Sequence, residues 1–281
     1  MTAMTTTTDQ LDGATCVVTG GASGIGFAMA ARFAASGMRV VLGDVDEASL
    51  ASSVEELGAD RALGVVCDVR SVDDVQRLHD AAIERFGGIE VVCLNAGVAA
   101  AGLLADTNLD VWDWTLGVNL MGLVHGVQVF APTLTLQGHG HIVITASAAG
   151  LSATPTMGPY GTSKFAAVGL ASALRHEVSD AGVGVSALCP GLIDTRIFHG
   201  DRTSVTGMPS SGFDPEALAG YRDVVAEVGA PTELVGEVVF RAVLDDQFFV
   251  FPTRDFDPAI EGQILAIEQG LAWRDSLGLS S

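Results

Sequence analysis

Lysine occurs once in these 281 residues, at Lys164, and tyrosine twice, at Tyr160 and Tyr221. Basic residues number 14 against 34 acidic ones, a net charge of −20. That balance repels a nucleic-acid backbone or an anionic bilayer, so neither is an expected partner. Uninterrupted apolar runs of membrane length are missing too. The most apolar stretches, 91–105 and 116–136, are broken by Asn95, Asn119, His125 and several glycines, which a membrane span avoids. Residues 1–10 are Thr-rich, with neither a basic residue nor an apolar stretch. They read as a flexible head rather than a signal peptide. Only four cysteines are present: Cys16, Cys67, Cys93 and Cys189. Their spacing suits neither a zinc site nor a Cys-x-x-Cys redox pair, and each sits in a short apolar run. They are expected as buried free thiols in a reducing cytoplasm. His139 and His141 stand two apart without a third ligand, so no metal is expected.

The chain is rich in small aliphatic residues and glycine, with 48% hydrophobic residues and 34 Gly. Its pattern alternates. Apolar, β-branched runs at 14–19, 39–42, 62–67, 89–94, 141–146, 184–189 and 247–251 are separated by stretches of helical periodicity, among them 26–36, 72–86 and 160–181. Continuous apolar strands are those buried on both faces. The expected fold is α/β: one domain over 11–281, a doubly wound, mostly parallel, seven-stranded Rossmann-type sheet with helices on both faces. Segment 197–229 mixes Gly, Pro, Ser and Phe and reads as a substrate-binding loop or lid. Residues 252–281 form an extension beyond the seventh strand, without an assigned role. Trp112, Trp114 and Trp273 are expected to pack rather than stack on a substrate.

Two motifs carry chemistry. The first runs Thr19-Gly-Gly-Ala-Ser-Gly-Ile-Gly26, between the first strand and first helix. Gly20, Ser23, Gly24, Ile25 and Gly26 can bring backbone close to a pyrophosphate, whose charge the helix N-terminus stabilises. Asp44 ends the second strand, 18 residues beyond Gly26. A carboxylate there accepts from both adenosine ribose hydroxyls and repels a 2′-phosphate, so NAD is preferred over NADP. The alternative is a helix N-cap, a role for which Asp46 also qualifies.

The second motif is Tyr160-Gly-Thr-Ser-Lys164, whose ends share one face of a helix. A phenol titrates near pH 10 and needs a nearby cation to act as a base near neutrality. The single lysine thus stands where a compact ammonium is wanted.

With these motifs in place, residues 12–251 resemble the short single-domain branch of the short-chain dehydrogenase/reductase family. The resemblance rests on the glycine turn, Cys67-Asp68-Val69, Asn95-Ala96-Gly97, Val118-Asn119, Ser147, Tyr160 with Lys164, and Pro190-Gly191 leading to Thr195, in that order. It implies hydride transfer between a secondary alcohol and NAD, with Asn119, Ser147, Tyr160 and Lys164 catalytic. Asp68 and Val69 would hold the adenine, and Asn95, Ala96 and Gly97 would lie against the adenine-side ribose. Tyr160 and Lys164 would meet the nicotinamide ribose, Lys164 also lowering the Tyr160 pKa. Pro190, Gly191, Ile193 and Thr195 would flank the nicotinamide, and Asn119 would hold a water that lets the proton leave. Relatives pair through the helices equivalent to 116–136 and 160–181, so a homotetramer or homodimer is expected. The competing reading is a dinucleotide-binding scaffold or regulator without chemistry, against which the intact Ser147, Tyr160 and Lys164 set stands. Ile197, Phe198, Met208, Phe213 and Tyr221 suggest a small apolar or alicyclic alcohol or ketone as substrate.

Overall fold

The structure, a computed structural model, describes residues 11–198 and 215–278. The head 1–10, Met208 and Phe213 lie outside them. Seven strands form one fully parallel sheet: β1 (Thr15–Thr19), β2 (Arg39–Asp44), β3 (Ala62–Val66), β4 (Val91–Leu94), β5 (Gly140–Thr145), β6 (Val183–Leu188) and β7 (Phe249–Val250). Their spatial order is β3-β2-β1-β4-β5-β6-β7. The chain therefore reverses its winding between β1 and β4, and an open crevice must form there beyond the carboxyl ends of the strands.

Two apolar layers sandwich the sheet. On one face, α1 (Gly24–Ala35), α2 (Glu47–Leu57) and α7 (Thr232–Leu244) pack through Met29, Phe33, Leu50, Val235 and Phe240. On the other lie α3 (Val72–Phe86), α4 (Leu109–Gln137) and α5 (Gly158–Val178), contributing Leu78, Phe130 and Leu174. Alternate residues of each strand feed opposite layers: Val17 and Val41 join one, Cys16, Val18, Val40 and Leu42 the other. The helix α4 is long and apolar enough to cross a membrane, and it contributes Leu123, Phe130 and Leu134 to the core of the domain. All four cysteines are buried free thiols.

Two expectations are corrected here. Segment 197–229 is not irregular throughout, since α6 (Pro215–Val228) occupies its second half. Helical periodicity in a stretch already marked by Gly and Pro was too weak to separate it from loop. Trp114 is buried and belongs to the core, but Trp273 is 67% exposed. It lies on α8 (Asp257–Ser276), a helix with no buried residue.

Candidate active site

The crevice at the β1/β4 reversal holds a cavity of about 190 Å³. The glycine turn, the ends of β4 and β5, the start of α5 and the segment after β6 line it. Residues Gly20, Ser23, Gly24, Ile25, Asn95, Ala96, Gly97, Ser147, Tyr160, Lys164, Pro190, Gly191, Ile193 and Thr195 all face this one space. Gly20 has φ +63°, and a Cβ there would stand 2.8 Å from the Ala96 Cα. A Cβ on Gly26 would collide with the Gly20 carbonyl. The turn is thus folded tightly on itself, opening bare backbone and the N-terminus of α1 to the crevice. That is a cradle for a pyrophosphate.

Behind the turn, Thr19 and Asn95 lock β1 to β4. The Thr19 hydroxyl accepts the Asn95 amide (2.9 Å), and Asn95 Nδ2 donates to the Thr19 carbonyl (3.1 Å). Thr145 then donates to Asn95 Oδ1 at 3.1 Å. Thr19 and Thr145 escape sequence reading because a hydroxyl at a strand end signals nothing until its partner strand is known. Asp44 is buried and accepts the Ala22 and Asp46 amides, each at 3.2 Å. The cap of α2 is Asp46, which accepts from the Ser49 amide at 3.1 Å. Asp44 therefore serves the glycine turn and leaves capping to its neighbour.

The chemistry-bearing side chains come from α4, α5 and the end of β5. Pro159 in the first turn of α5 suits a helix start, where its missing N–H costs nothing. One turn later Lys164, 3% exposed, extends its Nζ to the Thr145 carbonyl at 3.0 Å, beneath the Tyr160 ring with 5.6 Å between Nζ and ring centroid. Ser147 follows β5, and its hydroxyl accepts the Ala149 amide at 3.1 Å. Asn119, fully buried, sits in a π-helical turn (Gly117–Met121) inside α4. Its Oδ1 accepts the Val98 amide at 2.8 Å, and Nδ2 donates to the Val98 carbonyl at 2.9 Å and to Ser163 Oγ at 3.0 Å. The Ser163 hydroxyl in turn donates to the Tyr160 carbonyl at 2.6 Å. Asn119 thus braces the helix that presents Tyr160, without facing the cavity itself.

The acid–base expectation needs correction. Burial raises the Tyr160 phenol above its ordinary value and outweighs the opposing hydrogen bond from Ser147. The Lys164 ammonium donates to the Thr145 carbonyl and is itself pulled down to about 8 by burial, and the effect of burial on the phenol prevails. The protein alone keeps the phenol protonated at neutral pH.

The adenine-side pair lies outside this cavity. The Asp68 carboxylate is paired with Arg70 (2.6 Å), which holds it below the usual carboxylate range. Val69 is buried, and its carbonyl accepts from His125 Nδ1 at 2.8 Å.

Past β6 the chain makes a short parallel bridge, Ile193 opposite Ala230, in which the Ala230 amide donates to the Leu192 carbonyl and the Asp194 amide to the Ala230 carbonyl (2.9 Å each). The bridge uses neither the N–H nor the C=O of Ile193, which therefore point the other way. Thr154, Met157, Leu192, Arg196, Ile197, Tyr221, Val225 and Phe256 complete the cavity wall. Of the apolar residues expected near a substrate, Ile197 and Tyr221 are here, and the Phe198 side chain lies outside the described ones.

A parallel Rossmann-type sheet, a glycine-lined crevice at its reversal and a Tyr/Lys/Ser cluster on the crevice wall define a nucleotide-dependent oxidoreductase class. Residues 14–205 match the profile of the short chain dehydrogenase family, and the chain belongs to that family. It is 34% identical over 276 residues to the 1-deoxy-11-beta-hydroxypentalenate dehydrogenase of Streptomyces avermitilis, covering 95% of this chain and 96% of that one. It is 34% identical over 236 residues to 3beta-hydroxysteroid dehydrogenase 2 of Eggerthella lenta, covering 83% and 88%. A short chain dehydrogenase/reductase of Burkholderia phymatum, solved in complex with NAD, superposes with a TM-score of 0.86 at 36% identity, covering 92% of this chain and 96% of that one.

Proposed function

We propose that the protein interconverts a secondary alcohol and a ketone with NAD(H), using Tyr160 as general acid/base. The observation that carries this reading is the convergence of Tyr160, Ser147 and Lys164 on one wall of a crevice whose opposite wall is the glycine turn. A bound oxidised nicotinamide would accept the hydride, and its positive charge would help draw the phenol toward ionisation. The remaining work falls to the chain. Tyr160 takes the proton from the alcohol oxygen, while Ser147 donates to that oxygen and holds it. Lys164 would reach the nicotinamide ribose, and Asn119, which fixes the start of α5, would hold a water that lets the proton leave.

For the cofactor, Gly20, Ser23, Gly24, Ile25 and Gly26 would hold the pyrophosphate. Asp44 would hold the adenosine ribose, which favours NAD over NADP. Asp68 and Val69 would flank the adenine, with Asn95, Ala96 and Gly97 against the neighbouring ribose. The main-chain N–H and C=O of Ile193, unused by the bridge to Ala230, suit with Thr195 a nicotinamide carboxamide. The NAD complex of the Burkholderia relative supports this reading.

For the substrate, Met157, Leu192, Ile197, Val225 and Phe256 make an apolar wall that fits an alicyclic alcohol. Two relatives carry hydroxypentalenate and hydroxysteroid in their names. The segment 197–229, with α6, would act as the lid. We further infer a homotetramer or homodimer, supported by the exposed Ile264, Leu265, Ile267, Leu271 and Trp273 of α8. Light scattering that reports a particle of 28.9 kDa would reject this. The free thiols suit a reducing cytoplasm.

The test of the reaction is direct. NAD and a panel of alicyclic secondary alcohols are mixed with the protein, and reduced-cofactor absorbance is followed. Turnover with at least one alcohol is expected; its absence across the panel, in both directions, would favour a non-catalytic scaffold.

A further inference from the structure

Residues 190–193 line the crevice where the cofactor reading would put the nicotinamide, and the main chain of segment 189–194 is held from outside the cavity. The Cys189 amide donates to the Val250 carbonyl at 2.8 Å, as an extension of the sheet. The Pro190 carbonyl accepts the Ala148 amide at 2.9 Å. After these the sheet ends, and the next two amides have no strand to pair with. They are met instead by side chains of the segment that follows β7. The Gly191 amide donates to Thr253 Oγ1 at 3.2 Å, and the Leu192 amide donates to Asp255 Oδ2 at 2.6 Å.

These contacts are close on every side. A Cβ on Gly191 would collide with the Asp255 carboxylate and stand 2.6 Å from Thr253 Oγ1. Glycine at position 191 is thus what lets the two side chains reach the backbone. A hydrogen bond from an amide to a carboxylate is short and about twice as strong as a neutral one. Neither Thr253 nor Asp255 lies in the stretch 14–205 that matches the family profile, and neither side chain lines the cavity. The next residue, Phe256, does line it.

We propose that Thr253 and Asp255 are positioning residues that set the nicotinamide subsite, by fixing the Gly191–Leu192 main chain and through it the orientation of Ile193 and Thr195. This rests on the cofactor reading above. It assigns a task to the first residues of the C-terminal extension: they strap the cofactor floor to the segment that also supplies Phe256. The pyrophosphate cradle and the ribose carboxylate Asp44 lie on other elements and are untouched by the strap.

That separation makes the test. NADH and ADP-ribose share every part of the cofactor except the nicotinamide. Their dissociation constants are measured by titration for the parent, Asp255→Ala, Asp255→Asn and Thr253→Val, with thermal midpoints alongside. Asp255→Ala is expected to weaken NADH about 5–30-fold, less than the full worth of a charge-assisted hydrogen bond because Asp255 is exposed to solvent. ADP-ribose should change less than about twofold, and Asp255→Asn, which keeps an acceptor, should recover most of the loss. Thr253→Val should weaken NADH about 2–5-fold, again sparing ADP-ribose. An equal loss for both ligands in Asp255→Ala would make the residue merely structural and overturn the inference. Unchanged NADH affinity would overturn it as well. A parent that binds neither ligand overturns the cofactor reading and this inference with it.

Discussion

The Nζ of Lys164 donates to the Thr145 carbonyl at 3.0 Å, which ties the single lysine of the chain to the C-terminal end of β5. Its charge is held almost out of water, and burial brings its pKa down to about 8. Between pH 8 and the ordinary lysine range the unfolded chain holds a proton that the folded one has released, so stability rises with pH across that window. Below it, the folded protein carries the cost of a buried ammonium. Lys164→Met should therefore stabilise the protein at pH 7 by about 1–2 kcal/mol while abolishing turnover, after discounting the orphaned Thr145 carbonyl. Denaturant unfolding at pH 7 and pH 10 checks this. The gain should shrink at the higher pH, and a variant less stable than the parent at pH 7 would contradict it.

Removing the phenol in Tyr160→Phe should lower kcat by about 10²–10⁴-fold, with NADH affinity changed less than about threefold. The base form of Tyr160 takes the proton, so oxidation in the parent should accelerate as pH rises through its ionisation. Burial holds that ionisation above the ordinary tyrosine value in the free protein. A spectrophotometric titration of the free protein should place it higher than the kinetic profile of the cofactor complex does. Near-parental turnover in Tyr160→Phe would move the acid/base elsewhere.

Asp44 accepts two backbone amides, and among the described residues it forms no ion pair. NADH should bind about a hundredfold more tightly than NADPH, as a 2′-phosphate facing a buried carboxylate would require. In Asp44→Ala that preference should fall below about tenfold. Fluorescence titration of both cofactors decides it, and an unaltered ratio in the variant would remove Asp44 from the selection.

His141 is a buried residue of β5, and its Nε2 donates to Ser186 Oγ of β6 at 2.8 Å, since that hydroxyl donates onward to the Gln247 carbonyl at 2.6 Å. Burial, with the Arg175 charge nearby, lowers its pKa to about 3. Its contribution to stability is complete above the ordinary histidine range and is lost as pH falls from there toward 3, because only the unfolded chain takes up the proton. Between pH 7 and pH 4.5 the parent should lose about 2–3 kcal/mol more than His141→Gln does. Urea unfolding of both at the two pH values measures the difference, and parallel losses would show that His141 is not the acid-sensitive group.

Fold class was legible in the sequence because parallel strands buried on both faces must be continuous apolar runs, and seven of them alternate with helical periodicity. The glycine turn and the Tyr160/Lys164 pair were legible for a similar reason, as each is a local pattern whose geometry one turn or one helix face prescribes. Tertiary structure decided what depends on distance. Which carboxylate serves the turn and which caps α2 followed from Ala22 coming within reach of Asp44. The direction of the Tyr160 pKa followed from burial, which no spacing between Tyr and Lys encodes. The strap of Thr253 and Asp255 joins residues about 60 positions apart on the two sides of α6 and α7. An amide past the end of a strand must find some acceptor, but only the packed sheet brings β7 beside β6 and so determines which one.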